Sequence, residues 1–315
     1  MQLANNSISI VMYHYIKELK STSFKNLKFL EYSDFQKQIN FFEKKFNILS
    51  FDDFRSILKS KKFPKKPSIL LTFDDGYIDH YKYAFPLLSK KKIKACFFSP
   101  TSIFKKNHFL EVNKVHIILD KFQDRDQLLK IIMAELKKIS DIDTDILIKN
   151  VLLDVKNSTH RFDDKKTLMV KYLLQHSIPE KFRIQLLKKL FGITILKSKL
   201  SEIENFYINK NNLLEMLKGG MHFGSHGHLH LKFDKLNLVK AEKEIQDSLK
   251  NFEALGLHEK IKTLCYPYGN YDHKTIQLLK KYNIEYGFTI NPGSIFSGSS
   301  ISDYELPRYD TNDFK

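Results

Sequence analysis

Short runs of consecutive apolar residues recur along this chain, with amphipathic helical stretches between them. The runs are Ile8–Tyr13 (ISIVMY), Ser68–Phe73 (SILLTF), Lys94–Ser99 (KACFFS), Met221–Gly224 (MHFG), Lys262–Tyr266 (KTLCY) and Tyr286–Ile290 (YGFTI). A strand wet on one face alternates apolar with polar residues, whereas a nearly continuous apolar run marks a strand covered on both faces. Between the runs, Phe35, Ile39 and Phe42 share a helical stripe that Ser33 can cap, and a second helix is predicted over Asp52–Ser60. Leu238, Ala241, Ile245, Leu249 and Phe252 form another stripe that can stop at Gly256, and Ile276, Leu278 and Leu279 mark a helix before Tyr282. This alternation predicts a parallel sheet covered by helices, open or closed into a barrel.

The rhythm breaks from about Phe104 to Asn205. No strand run occurs there, but Leu128, Ile131, Ile132, Leu136 and Ile139 keep helical spacing, as do Phe182, Leu186, Leu187 and Leu190 behind Pro179. The segment is apolar enough to pack, so it reads as a helical insertion at 104–205 within a domain built from 1–103 and 206–315. A chain of 315 residues has room for both. Gly293–Ser302 reads as a short turn-like loop.

Composition narrows the function classes. The formal net charge is +16, yet the excess is almost all lysine, and arginine stands only at positions 55, 125, 161, 183 and 308. Arginine is the residue suited to bidentate recognition of bases and phosphates, so no nucleic-acid partner is expected. The dispersed lysines predict a solvated basic surface, with anionic membranes or glycans as the alternative partner. Cys96 and Cys265 are too few for a disulfide scaffold or a four-thiolate zinc site, and both sit in apolar runs. No stretch reaches the ~18–20 apolar residues that span a bilayer. The N-terminus lacks the basic n-region of a secretory signal, so a cytoplasmic protein is expected, with the inner membrane face as a peripheral contact.

Polar chemistry falls just past the carboxyl ends of the strand runs. His14 follows ISIVMY, Asp74-Asp75-Gly76 follows SILLTF, Ser225–His230 (SHGHLH) follows MHFG, and Pro267-Tyr268-Gly269 follows KTLCY. In parallel α/β proteins that edge is where sites are built. Adjacent acids before a glycine could simply end a strand. At a strand's end, however, neighbouring side chains diverge, so one carboxylate can bind a cation while the other stays a free base. His226 and His230, four residues apart, reach one side of a helical turn or compact loop. Two neutral imidazoles and one carboxylate make a three-ligand metal site with open positions. His228 between them should point elsewhere, and His222 within the strand is assigned no role.

Three motifs in order, TFDDGY (Thr72–Tyr77), SHGHLH (Ser225–His230) and YPYGNYD (Tyr266–Asp272), resemble the polysaccharide deacetylase family, carbohydrate esterase family 4. The resemblance covers roughly the first and last hundred residues and leaves the helical middle outside. It implies a distorted (β/α) barrel of parallel strands carrying the helical insertion. It also implies Asp74 as general base, Asp75, His226 and His230 as ligands of one divalent metal, and Tyr268 offering its backbone N–H to an oxyanion. Zinc is the expected ion, although cobalt, nickel or iron suit the same ligands. The implied reaction is hydrolysis of an N-acetyl group on an amino sugar, within a glycan or on a lipid-linked or nucleotide-linked precursor.

This chain departs from the family pattern in three places. Gly227 stands where Ser or Thr usually follows the first histidine. Cys265 stands where an arginine usually orients the base, leaving Arg308 in LPRYD as the candidate substitute. The C-terminal motif with the acid histidine is missing. VMYHYI resembles the permuted branch that includes poly-N-acetylglucosamine deacetylases, which implies His14 as the catalytic acid. Tyr266, Tyr268, Tyr271 and Phe73 can line a sugar groove or pack in the core. Two other classes stay open at this level. Two histidines and a carboxylate also describe a non-haem Fe(II) oxygenase, and the loss of the arginine at 265 fits a glycan-binding module without catalysis.

Overall fold

The computed structural model describes residues 4–106, 108–158, 162–195, 200–257 and 261–314. Among them the strands are β1 (Ser7–Tyr13), β2 (Ile16–Lys17), β3 (Leu30–Glu31), β4 (Asn47–Leu49), β5 (Ser68–Asp74), β6 (Cys96–Ser99), β7 (His222–Ser225), β8 (Thr263–Cys265), β9 (Tyr286–Phe288), β10 (Ser294–Phe296) and β11 (Tyr309–Asp310). Nine of them form one sheet of order β10-β1-β5-β6-β7-β8-β9, with β4 on β5 and β11 on β1, while β2 and β3 pair separately. All nine run parallel to their neighbours except β10, which is antiparallel to β1. Each predicted strand run is therefore a strand in a curled and mostly parallel sheet, with β1 and β5 one residue longer than expected, β7 shifted by one, and β6, β8 and β9 shorter.

The segment after β9 spans the two outer edges of the sheet. Leu306 bridges Phe288 in parallel, and three residues later Tyr309 and Asp310 pair with Val11 and Met12 of β1. A single stretch, Leu306–Asp310, thus reaches from the β9 edge to β1 and draws the sheet towards a barrel.

Side chains on β5 alternate faces, so Leu70, Thr72 and Asp74 share one side and Leu71 and Phe73 the other. Leu70 packs on the first side with Ile8, Ile10, Phe98 and Phe288, together with Phe51 and Phe54 of the helix Phe51–Ser60. On the second side, Tyr13, Phe73, Phe97 and Phe223 stand opposite one another in register across four strands. Their rings stack at 4.9, 4.8 and 5.6 Å between centroids. Parallel-sheet neighbours of this kind lock strand register, because a one-residue slip would turn every ring to the opposite face.

Two local expectations are corrected. The first long helix, Tyr32–Lys45, starts one residue before Ser33 and its N-cap is Glu31, with no side-chain cap. The chain passes straight from β3 into the helix, leaving Ser33 inside the first turn. Ser50 supplies a full capping box with Asp53 for the next helix. Within Gly293–Ser302, expected to be a turn-like loop, Ser294–Phe296 forms a strand on β1. Three residues carry too little pattern to signal pairing that a neighbouring edge imposes.

Contacts divide the chain into two compact units, one of residues 1–21, 29–108 and 204–315, the other of 22–28 and 109–203. The second unit has its own apolar core, including Ile118, Leu128, Ile132, Leu136, Val151, Leu187 and Leu190. Its helices include Glu111–Lys121, Arg125–Leu136, Thr144–Lys156, Lys165–Tyr172 and Glu180–Thr194. Residues 22–28 group with these helices through polar ties. The Asn26 N–H donates to Asp120 Oδ1 at 2.7 Å, and Lys28 Nζ to Asp163 Oδ1 at 2.8 Å. Among the described residues, no helix is long and apolar enough to cross a membrane.

Candidate active site

Parallel register brings the ends of distant strands level. Tyr13 lies opposite Phe73, Asp74 opposite Phe98, Ser99 opposite Ser225, and Cys265 opposite Phe288. The residues that follow, His14, Asp75 and His226, therefore emerge along one sheet edge.

The Asp74-Asp75-Gly76 turn separates its two carboxylates. Asp74 is still in the strand, whereas Asp75 and Gly76 both take left-handed conformations, with φ of 73° and 66°. Aspartate tolerates that region better than most residues. At Gly76 a side chain is further blocked, because an added Cβ would lie 2.5 Å from Ile103 Cδ1.

Asp74 turns to Arg308. The guanidinium donates from Nη1 to Oδ1 at 2.9 Å and from Nη2 to Oδ2 at 2.7 Å. Both side chains are buried. Arg308 is itself held, donating from Nε to the Thr289 carbonyl at 2.7 Å and from Nη1 to Thr72 Oγ1 at 3.1 Å. Burial alone would raise the Asp74 carboxyl, but the Arg308 charge and hydrogen bonds override it and hold the pKa at about 2. Cys265 Sγ lies 2.9 Å from Arg308 Nη2. The guanidinium thus reaches Asp74 from the closing segment rather than from position 265, where the small thiol leaves it space. His14 Nε2 sits 3.8 Å from Asp74 Oδ2, and its ring is 43% exposed. The His14 carbonyl meets buried His80 Nε2 at 2.9 Å.

Asp75 turns the other way. Its Oδ1 lies 3.4 Å from His226 Nε2 and 3.2 Å from His230 Nε2, and all three side chains are buried. His226 Nδ1 is 2.7 Å from the Cys265 carbonyl. A carbonyl only accepts, so Nδ1 carries the proton, and in the neutral ring Nε2 offers a lone pair towards Asp75. Asp75 Oδ1 itself has no hydrogen-bond partner among the described residues. A carboxylate oxygen and two imidazole nitrogens converging in this way are a donor set suited to a divalent cation, and the hydrogen bond from His226 Nδ1–H to the Cys265 carbonyl fixes one ring's orientation. The three residues present ligand atoms within 4.8 Å of one another.

Tyr77 completes this side, its hydroxyl donating to Asp75 Oδ2 at 2.6 Å. It lies in the TFDDGY motif, but a tyrosine three residues beyond a strand carries no sequence signal for this role. Tyr77→Phe is expected to weaken metal affinity by about 10–100-fold, as loss of a ligand's supporting hydrogen bond commonly does. Chelator competition measures it, and unchanged affinity would show that the hydroxyl does not orient Asp75.

The remaining predicted residues fall as follows. Tyr268 takes a left-handed conformation (φ 59°) in the turn Pro267–Gly269, and its ring meets the His230 ring edge-on at 4.8 Å. His228 points away, with Nδ1 2.8 Å from Thr101 Oγ1 and Nε2 accepting from Lys105 Nζ at 3.1 Å. His222 stacks on Phe51 at 3.8 Å. Phe73 and Tyr266 are fully buried and line no groove, whereas Tyr268 and Tyr271 are partly exposed.

A parallel-stranded barrel with paired acids at one strand end and two histidines at another defines a class of metal-centred hydrolases. The sequence profile described as polysaccharide deacetylase matches residues 61–141 and 194–287, more than half of the chain, and the protein belongs to that family. A poly-beta-1,6-N-acetyl-D-glucosamine N-deacetylase of Staphylococcus aureus is 34% identical over 117 residues, covering 33% of this chain and 40% of the relative. A putative polysaccharide deacetylase of Bacillus subtilis, YxkH, is 43% identical over 56 residues, or 18% of this chain and 20% of that protein. These matches span less than half of either relative. Two solved structures share the fold over nearly their whole length. The Streptococcus pyogenes deacetylase PplD in complex with acetate has a TM-score of 0.59 at 16% identity, covering 98% of this chain and 93% of its own. IcaB from Ammonifex degensii has a TM-score of 0.58 at 14% identity, covering 100% and 96%.

Proposed function

We propose that this protein is a metal-dependent hydrolase that removes N-acetyl groups from an amino sugar in a glycan or glycan precursor. The observation that carries the reading is the division of labour in the acid pair. Asp75 faces His226 and His230 while Asp74, bound by Arg308, stays separate and within 3.8 Å of His14.

Asp75, His226 and His230 would hold the ion, zinc foremost. Bound there, a divalent cation polarises the acetyl carbonyl and acidifies the attacking water. Asp74, ionised at neutral pH through Arg308, accepts that water's proton. The two contacts from Arg308 fix the carboxylate in one plane, so no reorientation precedes the transfer. The tetrahedral oxyanion takes a hydrogen bond from the Tyr268 backbone N–H, a contribution of about 3 kcal/mol for a well-placed donor. His14 is exposed enough to meet substrate and lies 3.8 Å from Asp74 Oδ2. It donates to the departing nitrogen as the C–N bond breaks, giving acetate and a free amine.

The test is release of acetate and amine from a panel of N-acetylated oligosaccharides and precursors, using chelator-stripped protein reloaded with Zn²⁺, Co²⁺, Ni²⁺ or Fe²⁺. Release that returns with metal supports the reading. Oxygen uptake dependent on Fe²⁺ without acetate would replace it with the oxygenase. Tight glycan binding without turnover under any metal would replace it with the binding module.

A further inference from the structure

The loop that carries both histidines has no regular secondary structure, and two of its residues, Gly227 (φ 75°) and His230 (φ 63°), are left-handed. Such a segment loses its geometry easily unless its peptide groups are tied, because each freed residue regains about 1–2 kcal/mol of conformational entropy. Its carbonyls are tied from one side. The Thr101 N–H donates to the Gly227 carbonyl at 3.2 Å and the Ser102 N–H to that of His228 at 3.0 Å.

Its amides are tied from the other. The N–H groups of His228 and Leu229 both donate to Glu244 Oε1, at 2.9 and 2.6 Å. Glu244 lies on the buried face of the helix Leu238–Ala254, between Ala241 and Ser248, and is only 4% exposed. Burial pushes its carboxyl up, and backbone N–H groups of Leu229, His228 and Leu231 pull it back. One turn further, Ser248 Oγ bonds Ser225 Oγ at 2.7 Å, and Ser225 Oγ accepts from the Gly227 N–H at 3.1 Å. The site at 227 is matched to this arrangement, since an added Cβ there would lie 2.9 Å from Glu244 Oε1. Glycine at 227 and glutamate at 244 occupy one space between them.

We propose that Glu244 is a positioning residue for the metal centre, a buried acceptor whose single oxygen clamps two consecutive amides and thereby sets the spacing of His226 and His230. An acidic residue on the apolar face of a packed helix costs desolvation that nothing in the helix itself repays, and the loop amides are what it serves. The inference rests on reading Asp75, His226 and His230 as a metal centre.

The experiment compares wild type with Glu244→Ala, Glu244→Asp and Glu244→Gln. Gln keeps the reach and the acceptor oxygen but loses the charge, whereas Asp keeps the charge and is one methylene short. Zn²⁺ affinity is measured by chelator competition, and hydrogen exchange of the His228 and Leu229 amides is measured in stripped protein. The Ala and Asp variants are expected to bind Zn²⁺ about 10–100-fold more weakly, with both amides losing protection, while Gln stays within about threefold of wild type on the same scale. Zn²⁺ affinity and amide protection unchanged in Ala and Asp would overturn the proposal. So would a Gln variant as weak as Ala with Asp intact, which would make charge rather than reach the cause. Should Ala fail to fold, the Asp and Gln pair decides alone. If wild type itself binds no Zn²⁺, the functional reading fails, and the amide exchange still reports on the clamp by itself.

Discussion

His226→Ala is expected to leave the protein without bound metal and to lower kcat/KM by roughly a thousandfold, about 4 kcal/mol of transition-state stabilisation. The ring supplies one of three converging ligand atoms, and its Nδ1–H is the bond that ties it to the Cys265 carbonyl at 2.7 Å. Two open-ended donors cannot replace three, because Asp75 and His230 alone leave the cation mostly to water. Asp74→Asn makes the informative partner. Both oxygens of Asp74 are taken up by Arg308 rather than by His226 or His230, so this variant should keep its metal while losing turnover by roughly 10²–10⁴ as a missing general base. Elemental analysis and acetate release on the two proteins separate the roles. Metal content and activity both surviving in His226→Ala would remove the centre from the mechanism.

Arg308→Met is expected to destabilise the fold by about 3–5 kcal/mol, the cost of breaking a buried pair by deleting one partner. Arg308 and Asp74 are nearly sealed from solvent, with side-chain exposures of 0% and 1%. The loss should depend on pH with a definite sign. In the wild type, the folded Asp74 carboxyl titrates at about 2, below the ~3.9 of an unfolded aspartate. Its pairing therefore stabilises the protein fully above that unfolded value and is lost as pH falls through the folded one. Without the guanidinium, burial dominates and raises the carboxyl above its unfolded value. The variant then pays for ionising Asp74 in the unfolded state's favour at pH 7, and its deficit against wild type shrinks as pH falls towards 4. Urea unfolding of chelator-treated protein at the two pH values measures this. Adding Asp74→Asn should recover part of the deficit at pH 7, since no buried charge is orphaned. A deficit that is equal at both pH values, or none at all, would show that Arg308 does not govern Asp74.

What could be read from the chain alone was whatever depends on local order. Apolar runs mark covered strands whatever their partners, so the six main strands and the alternating architecture were visible, as was the helical character of the middle. The placement of Asp74 at a strand's end, and of His14, Asp75, His226 and Tyr268 just beyond strand ends, followed from the same reading, because parallel strands put all those ends on one edge. Tertiary structure decided what depends on partners distant in sequence. Arg308 meets Asp74 only because Leu306–Asp310 spans from β9 to β1, and no spacing rule connects positions 234 residues apart. Ser294–Phe296 is a strand because β1 offers it an edge, and residues 22–28 join the helical unit through Asp120 and Asp163, acids with no distinguishing context. Glu244 shares the buried helix face with Ala241, Ile245, Ser248 and Phe252, and its purpose appears only when the loop amides arrive above it. Local sequence determines which conformations a segment prefers, but a hydrogen bond or ion pair between remote segments is set by how those segments pack, and that packing is a property of the whole fold.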